Sequence, residues 1–376
     1  MKIAFITIES PFGKKESYIS TEISQISFIT QNIIIFPLIT RKKTEFKELE
    51  NFTYRESAFN KSLIITTQLV HKFNQILKVL LKLSKTQSRK RFFYSLYLLP
   101  KTLLLIDLVE KQHLTHIHAY WGGAPATCAL IVKELTGVKF SFSLHRADIE
   151  ANDILALKSE NAVFVRSISE YGMKKAIKNG VNSKKIEVIH LGVKIPNLKV
   201  FIKKNKILQL ITVSSLISLK RISLLVRKLT SLPDVHLTII GEGPELSLIR
   251  KIITKCNLKN QINIFNQMPN KEVLDIYTKK RFDLFILPSS IEGIPVSAME
   301  AMAHSIPVAL TNVGGVNELI NKECGYFLKK NLSNLGEIIK SIPNNTITQK
   351  AFLKVKKDFN VDQNSIKFIK KIKTYE

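Results

Sequence analysis

Short apolar runs alternate with stretches of helical period along nearly the whole chain, and this alternation narrows the possible folds more than any other feature. In the first half the runs are IAFITI at 3–8 and then 32–38, 115–118, 139–144, 162–166 and 186–189. In the second half they are 208–213, 235–240, 262–265, 284–287 and 307–310. Each is too short for a helix of ordinary length and reads as a strand, and the opening run, apolar throughout after Lys2, reads as one buried on both faces. Helical patterns fill the gaps. One starts near Ser17 with Ile19, Ile23 and Ile26 on one face, another runs from Ala124 to about Leu135, and others lie near 220–230, 244–256, 270–280 and 295–304. Residues 45–110 read as helical and basic, with breaks near Gln87 and Pro100. Strand–helix alternation of this kind predicts an α/β protein with parallel sheets covered on both faces.

The pattern stops once, at the polar and basic PNLKVFIKKNK of 196–206, and then restarts. A chain of 376 residues fits two domains. The expectation is two Rossmann-like, doubly wound domains facing across a cleft, with ligands at the carboxyl ends of their strands. The first covers 1–198 and the second 199–360. A terminal segment, 361–376, carries a short basic helix (SIKFIKKIKT) expected to pack back on the first domain.

Within this frame the stretch PSSIEGIPVSAMEAMAHSIPVAL carries the most chemistry. A strand ends at Leu287, a tight loop holds Glu292, Gly293, Ile294 and Pro295, and a helix runs from Val296 to about His304. Gly293 allows close approach of a ligand to the backbone, and Pro295 suits a first helical turn. Free amides at the helix start, with the dipole behind them, favour an anion. Glu292 and Glu300, eight positions apart, add two carboxylates. A ligand with both phosphates and hydroxyls reconciles the two, and a sugar nucleotide is such a ligand. The plainer alternative is a surface loop and an amphipathic helix in which two Glu fall by chance.

Net charge is +27, which implies an anionic partner. Between Glu56 and Asp107 there are nine Lys/Arg and no acidic residue. From 71 to 105 these cations are interleaved with apolar side chains, a pattern suited to an anionic membrane surface as well as to a solvated face. No helix-turn-helix, finger or ribonucleoprotein motif supports nucleic acid as the partner. Cys128, Cys256 and Cys324 are widely spaced, with no CxxC, and read as buried thiols. No signal peptide and no transmembrane helix are expected, since no run of about 18 uninterrupted apolar residues occurs. No metal site is expected either: His116 and His118 share a strand face, but with His113 they do not make a closed ligand set, and Asp-x-Asp is absent.

Three further constellations sit at strand ends. Gly241-Glu242-Gly243-Pro244 follows a strand and precedes a helix, as close approach to a phosphate or sugar would require. A nicotinamide-dependent dehydrogenase is disfavoured, because position 246 is Leu rather than Gly and no acidic residue lies between Glu245 and Glu272. Lys220 and Arg221 follow the strand ending near Val213, on the side where phosphates are expected. His145 and Asp148 follow KFSFSL, where an imidazole could donate to a substrate hydroxyl or to developing charge.

Taken together, EGIPVSAMEAMAHSIPV, GEGPE and Lys220 resemble the retaining glycosyltransferases of family 4, of the GT-B fold, whose signature is a Glu, seven residues and a second Glu. The resemblance extends into the first domain. KKESYISTEI, HIHAYWGGAPATCAL, FSFSLHRADI, SISEYGMKKAI and KIEVIHLGV are similar to segments of colanic-acid and capsule transferases. The departures are Ser305 where Gly is usual, Ser215 where many members have Arg, Lys194 for a frequent Asp, and Gln267 for a common Gly.

The resemblance implies a metal-independent enzyme, without cofactor, moving a hexose from a nucleotide diphosphate sugar to a growing, lipid-linked surface glycan. It implies an acceptor-binding first domain and a donor-binding second domain. Glu300 would hold the ribose, Glu292 would orient the donor sugar, and Lys220 with Arg221 would neutralise the leaving diphosphate. Backbone around Gly293, Ile294, Pro295, Val296 and Ser297 would surround sugar and phosphate. Gly241, Gly243 and Ser215 would line the donor site, and Met268 would meet the base. His145 would contact the reacting centre, and Asp148 and His118 would lie on the acceptor side. The protein is expected to be cytoplasmic, peripheral on the inner face of the plasma membrane through 71–105. A GT-B sugar-nucleotide epimerase and a non-catalytic, membrane-associated partner subunit remain as alternatives.

Overall fold

The computed structural model describes residues 2–12, 16–40, 46–197, 207–342 and 344–375. Two compact units emerge, Met1–His190 with Gln363–Glu376, and Leu191–Asp362. Most of the linker expected at 196–206, and with it the division at 198/199, lies outside the described residues.

The first unit is built on β1 (Ile3–Thr7), β2 (Ile33–Pro37), β3 (His116–Ala119), β4 (Lys139–Leu144), β5 (Phe164–Ser167) and β6 (Ile186–Val188). They form one parallel sheet in the order β2-β1-β3-β4-β5-β6. Every residue of β1 and β3 is buried: β1 is an apolar run, as a strand covered on both faces requires, whereas β3 buries His116 and His118 as well. Helix Val361–Lys373 belongs to this unit from Gln363 onward, and its Phe368 is buried with Phe5, Tyr120 and Phe164.

Arg166 and Glu22 form a buried charge pair in this unit. Arg166 makes paired bonds of 2.7 Å to both oxygens of Glu22, donates to the Ile189 and His190 carbonyls, and lies 4.4 Å from the centroid of the Phe368 ring. Such a pair survives burial only because each charge finds its partner and the remaining donors find carbonyls.

Between β2 and β3 the chain forms helices Ala58–His71, Phe73–Thr86 and Arg89–Gln112. The expected break at Gln87 is present: that residue is extended, at φ −92°, ψ 153°. The break expected at Pro100 is absent, and the helix runs through it. The ring costs about 3 kcal/mol in a helix interior. Leu98, Leu103, Leu104 and Leu105 around it are buried, each contributing about 1.5–3 kcal/mol, so packing wins. This helix is also long and apolar enough to cross a membrane by length and composition, with a mean hydropathy of 1.5, although half of that window is buried in the unit's core. The buried half packs on helix Ala124–Thr136, as a core helix does.

The second unit holds β7 (Leu208–Val213), β8 (Val235–Ile240), β9 (Ile262–Phe265), β10 (Leu284–Leu287), β11 (Val308–Thr311) and β12 (Tyr326–Leu328). The order is β12-β11-β10-β7-β8-β9, all parallel. The chain winds outward from β7 through β8 to β9, then returns to β10 on the other side of β7. That reversal between β7 and β10 is the topological switch point, where diverging loops open a crevice at the carboxyl ends.

Candidate functional site

The loops leaving β7 and β10 meet at this switch point. After β7 the chain makes a tight turn at Ser218–Lys220, closed by the Lys220 amide donating to the Ile217 carbonyl at 2.9 Å. After β10, the Ser290 amide and hydroxyl both donate to the Leu219 carbonyl, at 2.8 and 3.1 Å. The two loops are thereby fixed, and Lys220 forms an ion pair with Glu292. Ser289 donates to the same Glu292 oxygen at 2.6 Å. The pair is not sealed: the Lys220 side chain is 20% exposed and that of Glu292 10%. The second carboxylate oxygen of Glu292 has no partner among the described residues.

The loop after β11 supports this arrangement from the other side. The Gly315 amide donates to the Gly293 carbonyl at 3.1 Å, and a Cβ on Gly314 would lie 1.8 Å from the Glu292 carbonyl oxygen. Only glycine fits there, at φ 59°.

Helix Val296–Ala303 opens just beyond. Pro295 stands one position earlier than expected, as the N-cap, and its carbonyl accepts from Ala298 and Met299 at 3.1 and 3.2 Å. The amides of Val296 and Ser297 precede the first intrahelical bond, as the opening amides of a helix do. Ala298, Met299, Ala301 and Met302 are buried, and Ile294 is buried in the same core. Val296 packs half-buried against it, and Ser297 and Glu300, three positions apart, are left on the face outside.

Glu300 accepts from Asn270 Nδ2 at 2.7 Å through one oxygen, and its other oxygen has no partner among the described residues. Burial pushes its pKa from 4.5 to about 7, against the lowering effect of Asn270.

The helix ends as the family pattern anticipates, although glycine is missing. Ser305 takes the left-handed conformation, φ 58°, while Ser305 and Ile306 donate to the Met302 and Ala301 carbonyls at 3.0 and 2.9 Å. This is the double closing bond of a Schellman cap, formed here at the cost of a strained serine. The Ser305 hydroxyl is buried without a partner among the described residues.

Several expected site residues have other employment. A Cβ on Gly241 would meet the Ser214 carbonyl oxygen at 1.9 Å, and one on Gly243 the Leu216 carbonyl oxygen at 2.4 Å. The close approach that these glycines permit is between two loops of the same sheet, tied by bonds of 2.9 Å from Leu216 to Glu242 and from Glu245 to Leu216, rather than to a ligand. Arg221 is in the left-handed region and donates to the Lys330 carbonyl, so it does not join Lys220. Ser215 is exposed, and Met268 packs half-buried against the unit's core.

In the first unit, three expected site residues have partners inside the protein. His118 is fully buried, with its ring nitrogens 2.8 and 2.9 Å from the Ser141 and Ser143 hydroxyls, so it cannot face an acceptor. Burial and the Arg166 charge hold its pKa well below the ordinary histidine value. Asp148 is also buried. One of its oxygens accepts from the Gly123 amide and the other from the His145 amide, each at 3.0 Å, so it pins two turns together instead of meeting a substrate. Its pKa is raised to about 6, chiefly by burial. His145 donates from Nε2 to the Tyr120 carbonyl at 3.0 Å and lies with its ring centroid 4.2 Å from that of Trp121. Burial and Arg166 lower its pKa to about 3, so the ring is neutral and its donor is committed.

Sequence reasoning did not single out Ser289, Asn270, Gly314 or Gly315. A glycine pair directly after a strand, as at 314–315, is a legible signal, and so is an Asn opening a helix after Met-Pro. Among the described residues, no group of three His, Cys, Asp or Glu side chains is placed to hold a metal ion.

Residues 195–358 match the family model of glycosyl transferases group 1 and form a domain of that family. The O-antigen biosynthesis glycosyltransferase WbnH of Escherichia coli is 31% identical over 153 residues, covering 41% of this chain and 43% of WbnH. The chain thus spans less than half the length of that relative. The amylovoran biosynthesis glycosyltransferase AmsK of Erwinia amylovora is 25% identical over 373 residues, 87% of this chain and 86% of AmsK. Among solved structures, Anabaena HepE in complex with UDP-glucose covers 100% of both chains at a TM-score of 0.73 and 16% identity. The two units have the GT-B fold.

Proposed function

We propose that this chain is a retaining, metal-independent hexosyltransferase of glycosyltransferase family 4. It moves a hexose from a nucleotide diphosphate sugar to a growing, lipid-linked surface glycan of exopolysaccharide, capsule or O-antigen type. One observation carries the proposal: Lys220 and Glu292 meet at the switch point of a group 1 domain, with Glu300 one helix turn further on and offering a free oxygen. The names of WbnH and AmsK support the glycan class, and the HepE complex supports a nucleotide-sugar donor.

In this reading Lys220 exchanges Glu292 for the donor diphosphate. The first amides of helix Val296–Ala303 and the helix dipole add to the positive field there. Glu300 accepts from the ribose hydroxyls through its free oxygen. Glu292, released from Lys220 but still held by Ser289, orients the donor sugar. The bond from the anomeric carbon to the diphosphate oxygen breaks, and the acceptor hydroxyl oxygen bonds to that carbon on the same face. The hydroxyl proton passes to the departing diphosphate. The reaction takes place in the cytoplasm, against the inner face of the plasma membrane.

A panel of uridine and guanosine diphosphate sugars, read by hydrolysis without acceptor, tests the donor class. Fixed charges of this kind are worth about 2.7–4 kcal/mol by deletion. Lys220→Ala and Glu300→Ala are each expected to lose at least about tenfold in turnover. Wild-type turnover in either variant overturns the assignment. Retained anomeric configuration in the product and activity undiminished by a chelator test the finer claims.

A further inference from the structure

We infer that helices Ala58–His71 and Phe73–Thr86, with the first half of Arg89–Gln112, form a face that inserts into the headgroup layer of an anionic bilayer. The inference rests on the proposed function only for the reason to visit a membrane. Its physical basis is independent of that function.

Large apolar side chains usually leave water, and here they do not. On the first helix Phe59 and Val70 are 79% and 70% exposed, with Leu63 between them on the same side. On the second, Phe73, Leu77 and Leu81 stand outward at 56%, 46% and 53%. On the third, Phe93 and Tyr97 are 65% and 77% exposed, and Tyr97 stacks with Tyr94. These helices pack on one another, so their outer faces adjoin.

Helix Phe73–Thr86 makes the argument sharpest. Its core contact is already supplied by Ile76, Val79 and Leu83. Phe73, Leu77 and Leu81 form a second apolar stripe, one left exposed by the described residues, and Lys78, Lys82 and Lys85 occupy the remaining sector. Two apolar stripes and one basic sector suit a helix that is packed on one side and immersed in an interface on the other. An exposed apolar surface of this extent marks an interaction site.

Charge selects the occupant. No acidic residue occurs from Ser57 to Ile106. Lys72, Lys82 and Arg91 find partners elsewhere in Glu110, Glu134 and Asp153. Lys61, Lys78, Lys85, Arg89 and Lys90 make no ion pair among the described residues. A second copy of this chain would bring the same cations to the same face and be repelled. Nucleic acid would satisfy the lysines but has no counterpart for Leu63, Val70, Leu77 and Leu81. Anionic lipid meets both needs, with phosphates for the lysines and an acyl boundary for the apolar side chains.

The structure also redraws the segment. The face begins at Phe59, earlier than position 71, and it ends near Tyr97, because Thr102–Leu105 is core.

The test uses the full chain and vesicles of phosphatidylcholine with or without phosphatidylglycerol. Flotation is expected with the anionic vesicles only, and to weaken with salt above about 0.15 M. The triple variant Phe73→Ser/Leu77→Ser/Leu81→Ser and the triple variant Lys78→Gln/Lys85→Gln/Lys90→Gln should each lose at least about tenfold in apparent affinity. All six positions are solvent-exposed, so thermal unfolding should be unchanged. In a separate variant, Phe93→Trp, the new indole should be quenched by brominated acyl chains beyond the wild-type signal. Equal flotation on neutral vesicles, wild-type binding by the serine variant, or absence of quenching on bound vesicles would overturn the inference. So would binding to an oligonucleotide without flotation. Donor hydrolysis measured without vesicles stays unaffected by all these variants, so a failure here is distinguishable from a failure of the proposed chemistry.

Discussion

Each unit carries a strand that ends in a polar turn and opens a helix: β4 runs into His145 and Asp148, and β10 into Glu292 and Glu300. On paper the two look alike. In space they differ in how far their polar atoms are already satisfied. Both oxygens of Asp148, the donor of His145 and both ring nitrogens of His118 have partners inside the protein. Glu292 and Glu300 each keep an oxygen without one, and Lys220 keeps part of its surface open. Full satisfaction under burial makes a group structural, whereas spare capacity at a solvent-accessible switch point makes it available to a ligand.

The contrast predicts that changes in the first unit cost stability and changes in the second cost turnover. The largest effect should come from Glu22→Ala, which leaves the Arg166 charge buried and unpaired. Loss of about 3–5 kcal/mol in urea unfolding is expected, and a loss below about 1 kcal/mol would show that water reaches Arg166. Asp148→Ala follows, since it orphans the Gly123 and His145 amides. A cost of about 1–3 kcal/mol for each is expected from the same measurement. Retained stability with lost turnover would return Asp148 to the reaction. Lys220→Ala, by contrast, should leave the unfolding midpoint near that of the wild type while turnover falls as stated above; a collapse of stability instead would make its ion pair structural.

The titration of Glu300 sharpens the comparison further. Its folded pKa lies above the unfolded value, so its contribution to stability is full below pH 4.5 and is lost as pH rises through about 7. Glu300→Gln should therefore stabilise the protein at pH 8 relative to the wild type more than at pH 5, as read by thermal unfolding. Donor binding by the wild type should weaken below about pH 7, where the carboxyl protonates. A flat profile in both measurements would mean that Glu300 is more solvated than its surroundings suggest. The smallest effect is expected from Ser305→Gly, which relieves a left-handed serine and removes an unpaired buried hydroxyl. A gain of about 1 kcal/mol should appear without change in turnover.

Much of the fold was legible beforehand because short strand-like runs alternate with stretches of helical period. β4, β7, β8, β9 and β10 begin and end where the sequence predicted. Pro100 misled because a local rule was outweighed by burial on the far side of the same helix. At the candidate site, Glu292, Glu300 and Lys220 were legible from spacing and resemblance. Ser289 and Asn270 were not, since a single polar residue at a strand or helix end has too many ordinary explanations.

Strand and helix order, the two-part organisation and the positions where chemistry-bearing residues cluster were readable from the residues alone. Each of these follows from short-range pattern and from which side chains water rejects. Only the tertiary structure decided which polar groups are already spent. Gly241 and Gly243 accommodate Ser214 and Leu216, Arg221 turns to the Lys330 carbonyl, and His118 is closed between two serines. Hydrogen-bond satisfaction depends on partners distant in the chain, and it becomes definite only when the sheets are assembled.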